Sequence, residues 1–245
     1  MTANIADHFA AAALAAGCHF DQMLNFNRAG VVFQSRQLAA SAAARLCDRP
    51  DGPTAVGFGG ARGGGKTFWL VAQMALDDCQ RFPGLKCLLL RKVGKSNLEN
   101  FEDLRRRLLP RIPHTWAASR ATLTFPNGSR IIAGHFQCEK DIDAYLGLEY
   151  DVIGIEEATT LTARKYHDIV TCNRTSKPGW RPRIYSTTNP GGVGHPRPDR
   201  HPHTPARLLT MTPDFEFYYF VFSVRFGAVW CGLVRQIRGR PGLEY

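Results

Sequence analysis

A chain of 245 residues with 44% hydrophobic content is long enough to bury a substantial core as one domain. No apolar stretch reaches the roughly 18 residues that span a bilayer, so no membrane contact is expected. The apolar segment Ala10–Ala16 has no basic segment ahead of it, which argues for a short helix and against a signal peptide. The seven cysteines, at 18, 47, 79, 87, 138, 172 and 231, form no C-x-x-C pair, as expected of reduced, mostly buried thiols in a cytosol.

In chain order, residues 1–50 read as a helical segment, followed by a short apolar strand at 54–58. From Gly60 the chain then matches G-x-x-x-x-G-K-[ST] without gaps: Gly60, Ala61, Arg62, Gly63, Gly64, Gly65, Lys66, Thr67. Glycines let the backbone turn tightly, so that successive N–H groups converge on a β-phosphate. The lysine reaches the β- and γ-phosphates, and the threonine hydroxyl suits Mg²⁺. A helix expected at 66–79 would aim its N-terminus at the same anion.

A strand at 86–91 precedes a helix expected at 97–109. Ser96 and Glu99 have the spacing of a capping box, and Leu98, Phe101, Leu104 and Leu108 line an apolar face. The net charge of +10 is concentrated here. Residues 81–120 hold ten Lys/Arg (81, 86, 91, 92, 95, 105, 106, 107, 111 and 120) against Glu99, Glu102 and Asp103. Such a patch, with Arg105, Arg106 and Arg107 fanning around the helix, suits the phosphate backbone of DNA read without regard to sequence. A hairpin at 121–125 and 129–133 turns through Pro126-Asn127-Gly128.

The buried-type strand 151–155 ends in Glu156-Glu157. An acid at the tip of a strand neighbouring the phosphate-loop strand holds Mg²⁺, and one directly after it can polarise the attacking water. Glu156 suits the first role and Glu157 the second. A helix at 160–171 leads to a strand at 182–187, whose tip, Thr188-Asn189-Pro190-Gly191-Gly192, is placed to sense a γ-phosphate. Alternating strands and helices predict an α/β fold with a mostly parallel central sheet and helices on both faces. All three chemical sites then fall at the carboxyl ends of strands.

Taken together, these motifs resemble the large terminase subunit of tailed double-stranded DNA bacteriophages. The resemblance is carried by Gly59 to Thr67, by Leu148 to Ala158, and by Ser186-Thr-Thr-Asn-Pro-Gly-Gly192, and it spans residues 30 to 195. Phe125 to Ile132 and Phe33 to Gln37 add weaker matches. It implies a P-loop NTPase of the additional-strand, catalytic-glutamate type that hydrolyses Mg²⁺·ATP to drive double-stranded DNA into the prohead. It also implies an adenine contact by Gln37, with Gln34 as the competitor, and a γ-phosphate or ring-coordinating contact by Arg62. Thr188 and Asn189 would couple hydrolysis to movement. The implied partners are DNA, the portal protein and the small terminase subunit, with a ring forming only on the portal, in the host cytoplasm. A helicase-like or kinase enzyme of the same class stands as an alternative, as does a fragment that binds nucleotide without turnover.

Residues 51–195 make up the ATPase core in this reading. Large terminases continue into a metal-dependent nuclease domain. Residues 196–245 hold only Asp199, Asp214 and Glu216 before the terminal Glu244, so no nuclease activity is expected. Instead, a Pro/His/Arg-rich run precedes the aromatic segment 215–224. This tail reads as a truncation or a shifted frame, with an edge strand behind a linker as the alternative. His195, His201 and His203 are expected to be solvated and not to bind metal.

Overall fold

The computed structural model describes residues 5–60, 63–138, 141 and 144–189, together with short strands at 217–220, 224–225 and 228–229. Three helices open the described chain: α1 (Ile5–Ala15), α2 (Phe20–Ala29) and α3 (Ser35–Leu46). Then come β1 (Ala55–Gly59) and the helix that follows the phosphate loop. This helix runs as α4 (Lys66–Ala72), a π-helical segment (Gln73–Asp78) and a last α-turn, α5 (Cys79–Arg81). Next are β2 (Lys86–Arg91), α6 (Gly94–Leu108), β3 (Thr115–Ala117), β4 (Thr122–Thr124), β5 (Arg130–His135), β6 (Val152–Ile155), α7 (Ala163–Val170), β7 (Arg183–Thr188) and β8 (Phe217–Phe220).

The sheet order is β3-β4-β5-β2-β6-β7-β1-β8. The pairs from β5 through to β8 are parallel, and within this sheet the described antiparallel pairs are β3–β4 and β4–β5. The expected α/β fold is therefore present. Strands β1, β6 and β7 are buried at every residue, and β2 at all but its two ends. Strands covered on both faces read as continuous apolar runs, which is why they are visible in the sequence. Strand β7 lies between the phosphate-loop strand β1 and the acid-tipped β6. Gly154 lets β6 approach the helix after the phosphate loop closely, since a Cβ there would stand 2.7 Å from the Met74 sulfur of the π-helical segment and 3.2 Å from Leu70 of α4. Phe217–Phe220 of the aromatic run pairs with β1 as the edge strand, while the Pro/His/Arg-rich run with its three histidines lies outside the described residues.

Two local expectations need correction. Helix α6 starts at Gly94, not at 97, and no capping box forms at Ser96. The Ser96 hydroxyl instead donates to the Val93 carbonyl from within the first turn. A capping pair does occur at α3, where the Gln34 N–H donates to Gln37 Oε1 at 2.9 Å. Helix α7 starts at Ala163, not at 160, because Ala158–Thr160 form a 3₁₀ turn and Thr162 then caps the helix by accepting from the Lys165 N–H.

At the amino edge of the sheet lies a cluster of buried charges. Arg45 of α3 binds Asp77 through Nε at 2.8 Å and Nη2 at 2.5 Å, and reaches Asp21 of α2 at 2.6 Å. Gln22 and Gln73 also donate to Asp77, at 2.9 and 2.8 Å. Next to it, the fully buried Arg183 pairs with Asp48 at 2.7 Å. These interactions tie the N-terminal helices to the π-helical segment and to the start of β7. Trp69 adds an apolar link, packing edge-on against Phe58 and Tyr185 while its indole N–H donates to Ser41.

Candidate active site

The carboxyl ends of β1, β2, β6 and β7 surround a cleft of about 500 Å³. Its wall includes Gly63 to Phe68, Arg91, Asn100, Glu156, Glu157, Thr187, Thr188 and Asn189. The phosphate loop, the acid pair and the polar tip of β7 thus meet in one place, as expected from parallel crossovers. Gly60 stands at the mouth of the loop and accepts a hydrogen bond from Lys66 Nζ at 3.0 Å through its carbonyl. Ala61 and Arg62 lie outside the described residues. Burial lowers the Lys66 pKa, and the negative charge of Glu157 opposes that shift.

Gly65 precedes α4 with φ +67°, a left-handed conformation that glycine adopts without strain. It also needs to be small, because a Cβ there would meet the Gln37 amide nitrogen at 2.6 Å. Gln37 Nε2 donates to the Gly65 carbonyl at 2.9 Å, and Gln37 Oε1 accepts from the Gln34 backbone. Gln37 is therefore a buried brace behind the loop with both ends of its amide engaged, whereas Gln34 is exposed.

Thr67 donates its hydroxyl hydrogen to Glu156 Oε1 at 2.5 Å. A hydroxyl and a carboxylate converging on one point are hard oxygen donors of the kind Mg²⁺ accepts, so these residues fit the cation. Burial pushes the Glu156 carboxyl above its ordinary range. The Thr67 hydrogen bond and Arg91 work against that shift by favouring the charged form. Among the described residues no cluster of three or more His, Cys, Asp or Glu side chains is arranged to hold a metal.

Glu157 adopts φ +52°, ψ +47°, unusual for a residue with a side chain. Its N–H donates to Thr187 Oγ1 at 3.2 Å, and its carboxylate receives Asn189 Nδ2 at 3.5 Å. From this left-handed turn Glu157 lines the cleft beside Glu156. Asn189 is held through its carbonyl by the Thr159 hydroxyl, while its own Oδ1 is buried with no hydrogen-bond partner among the described residues. Thr188 is buried at the tip of β7.

Two wall residues carry no motif that marks them for this site in the sequence, Arg91 and Asn100, whereas Thr187 falls within the Ser186–Gly192 run. Arg91 ends β2 and stands 3.5 Å from Glu156 and 3.4 Å from Glu157. The Arg105–Arg107 triplet does not line the cleft. Arg105 meets the His114 ring at 3.1 Å and sits over Trp116, while Arg106 pairs with Glu102 at 2.6 Å. Arg107 is exposed, with its guanidinium 5.9 Å from the Phe68 ring centre.

A glycine loop before a helix, an acid-tipped parallel strand, and a further strand between the two define a P-loop NTPase of the additional-strand type. A profile of the N-terminal part of the terminase large subunit, T4-like-virus type, matches residues 58–193, which is more than half of the chain. The chain belongs to that family. Among solved structures, the fold resembles the large terminase of a thermophilic bacteriophage in complex with ADP, at 18% identity and TM-score 0.52. That match covers 66% of this chain and 40% of the other. The large terminase of bacteriophage HK97 aligns at 13% identity and TM-score 0.51, covering 66% of this chain and 34% of the other. The chain thus matches only about two fifths of the length of the thermophilic-phage protein. A comparison with curated proteins found no match.

Proposed function

We propose that the chain is the ATP-hydrolysing module of a DNA-packaging motor. The single observation that carries this reading is the Thr67–Glu156 hydrogen bond at 2.5 Å, with Glu157 lining the same cleft beside it. Lys66 would neutralise charge on the β- and γ-phosphates, and the loop N–H groups would hold the phosphate chain. Thr67 and Glu156 would hold Mg²⁺, which when bound screens the phosphate charge. Glu157 would orient the attacking water and take its proton. Arg62 would add a contact to the γ-phosphate. Gln37 would contact the adenine by giving up its bond to the Gly65 carbonyl, and the exposed Gln34 is the competing candidate for that contact. Asn189, just past β7, reaches Glu157 at 3.5 Å, and Thr188 at the tip of β7 lines the same cleft, the position from which loss of the terminal phosphate could be passed on.

Double-stranded DNA is the proposed track, and the portal protein and small terminase subunit are the proposed partners. The isolated chain is expected to be a monomer with weak basal activity, in the host cytoplasm. The test is phosphate release by the purified chain with and without duplex DNA. Hydrolysis that DNA stimulates and Lys66→Ala abolishes is expected. Full activity in Lys66→Ala would overturn the assignment, and transfer of phosphate to a small acceptor would favour a kinase.

A further inference from the structure

Arg91 is a wall residue with no role in the mechanism above, yet it faces both acids. Its position is fixed by the sheet. Leu90 of β2 pairs with Ile155 of β6, and the Glu156 N–H donates to the Leu90 carbonyl at 2.8 Å. Arg91 and Glu156 therefore leave adjacent parallel strands side by side. The guanidinium lies 3.5 Å from both Glu156 oxygens through Nη1, and 3.4 Å from Glu157 Oε1 through Nη2. Charge-assisted pairs of this kind close to about 2.7–2.9 Å when formed. Arg91 is thus shared between two carboxylates and committed to neither. The Glu157 oxygen it faces is the same one that Asn189, the residue after β7, reaches at 3.5 Å, so that carboxylate is met from two sides.

We propose that Arg91 is a positioning residue for hydrolysis: it steers the Glu157 carboxylate over the nucleotide and balances the charge of Glu156 while that acid holds no cation. The inference rests on the ATPase reading. Glu156 and Thr67 can take up a divalent ion only as Arg91 gives up its share of Glu156. The anions then left within its reach are Glu157 and the terminal phosphate. An arginine can serve both, because its planar fork offers five donors in fixed directions, whereas a lysine is a point charge that must choose. The next element, α6, lines the same cleft through Asn100, and its Asn97 side chain donates to the Leu89 and Gly134 carbonyls. A change at Arg91 therefore begins on a firmly anchored strand end.

The test compares the wild type with Arg91→Gln and Arg91→Lys in two assays: single-turnover ATP hydrolysis, and binding of a fluorescent ATP analogue titrated with Mg²⁺. Both variants should lower the hydrolytic rate by about a hundredfold, the size expected when a catalytic group is misplaced by an ångström, with little loss of Mg²⁺-supported affinity. The Mg²⁺ concentration giving half-maximal binding should fall severalfold in Arg91→Gln, where the competitor for Glu156 is gone. It should stay near wild type in Arg91→Lys, which keeps the charge. An unchanged rate would overturn the inference, as would equal losses of rate and affinity with an unchanged Mg²⁺ requirement. If Arg91→Gln fails to fold, the rate and affinity of Arg91→Lys decide. A wild-type chain whose hydrolysis is absent, or is indifferent to Lys66→Ala, would sink the ATPase reading itself. The Mg²⁺ competition would then still be read from binding alone.

Discussion

At the amino edge of the sheet Arg45 grips Asp77 at 2.5 and 2.8 Å, and Arg183 holds Asp48 at 2.7 Å. At the carboxyl edge Arg91 stands 3.4–3.5 Å from Glu156 and Glu157, and the Asn189 Oδ1 atom has no partner among the described residues. Both regions gather arginines and acids around the same parallel strands. The first is tightly paired at its centre, where Arg45 meets both Asp77 oxygens, although Asp78 Oδ2 and Arg81 Nε beside it have no hydrogen-bond partner among the described residues. The second is left incompletely paired, with room for a polyanion and a cation. A buried charge is tolerated only when it is paired, so the tight cluster is one whose disruption should unfold the domain. The loose one should tolerate disruption structurally and fail chemically.

The largest effect should come from Arg45→Met, which leaves Asp77 buried without its cation. A loss of about 3–5 kcal/mol is expected in urea unfolding. Nearly wild-type stability in that variant would erase the contrast between the two edges. The next largest should follow Gly65→Ala, where a Cβ must enter a left-handed turn against Gln37. The turn alone costs about 1–2 kcal/mol, and the displaced brace should weaken nucleotide binding more than it weakens the fold. Calorimetry of the variant with and without nucleotide would separate the two. Asp21→Asn should cost at most about 1 kcal/mol, because a half-exposed partner of the same Arg45 is screened by water.

A subtler signature lies in acid. Burial pushes the Asp48 carboxyl up, but the guanidinium groups of Arg183 and Arg81 more than offset it, leaving its pKa below the ordinary 3.8. A depressed carboxylate adds stability that is fully present above its unfolded value and is lost as pH falls through the folded one. Stability should therefore decline on acidification below about pH 4, and Asp48→Asn should flatten that decline. The smallest expected effect concerns DNA. Neutralising Arg105, Arg106 and Arg107 together should flatten log affinity against log salt by roughly 0.9 for each DNA phosphate that is no longer neutralised, with basal hydrolysis unchanged. Since Arg105 rests on Trp116 and Arg106 on Glu102, an exposed Arg107 should supply most of any change. An unchanged slope would make the triplet a solvated helix face.

The carboxyl edge is largely legible in the sequence because its parts are continuous motifs. The phosphate loop, Glu156-Glu157 and Thr188-Asn189 each announce a strand end, and the parallel topology brings those ends together. Arg91 also stands at a strand end, yet in the sequence it reads as one cation of a basic stretch. The rule that chemistry collects at carboxyl ends could have singled it out. The amino edge is not legible. Arg45, Asp77 and Arg183 are far apart in sequence, and nothing local separates a buried charge from a surface one. Strand β3 is three residues long and leaves almost no periodicity to read. The start of α6 is misplaced by the sequence pattern because Ser96 has capping chemistry, but its hydroxyl bonds back to Val93 instead.

The division of labour between the two acids can be tested directly by comparing Glu157→Gln and Glu156→Gln for retention of Mg²⁺-supported nucleotide and for single-turnover hydrolysis. Glu157→Gln should keep nucleotide affinity and lose turnover, because it removes the group that orients water and leaves the Thr67–Glu156 pair intact. Glu156→Gln should lose both. If Glu157→Gln releases nucleotide while Glu156→Gln retains it, the roles are reversed and the account of the cleft is wrong.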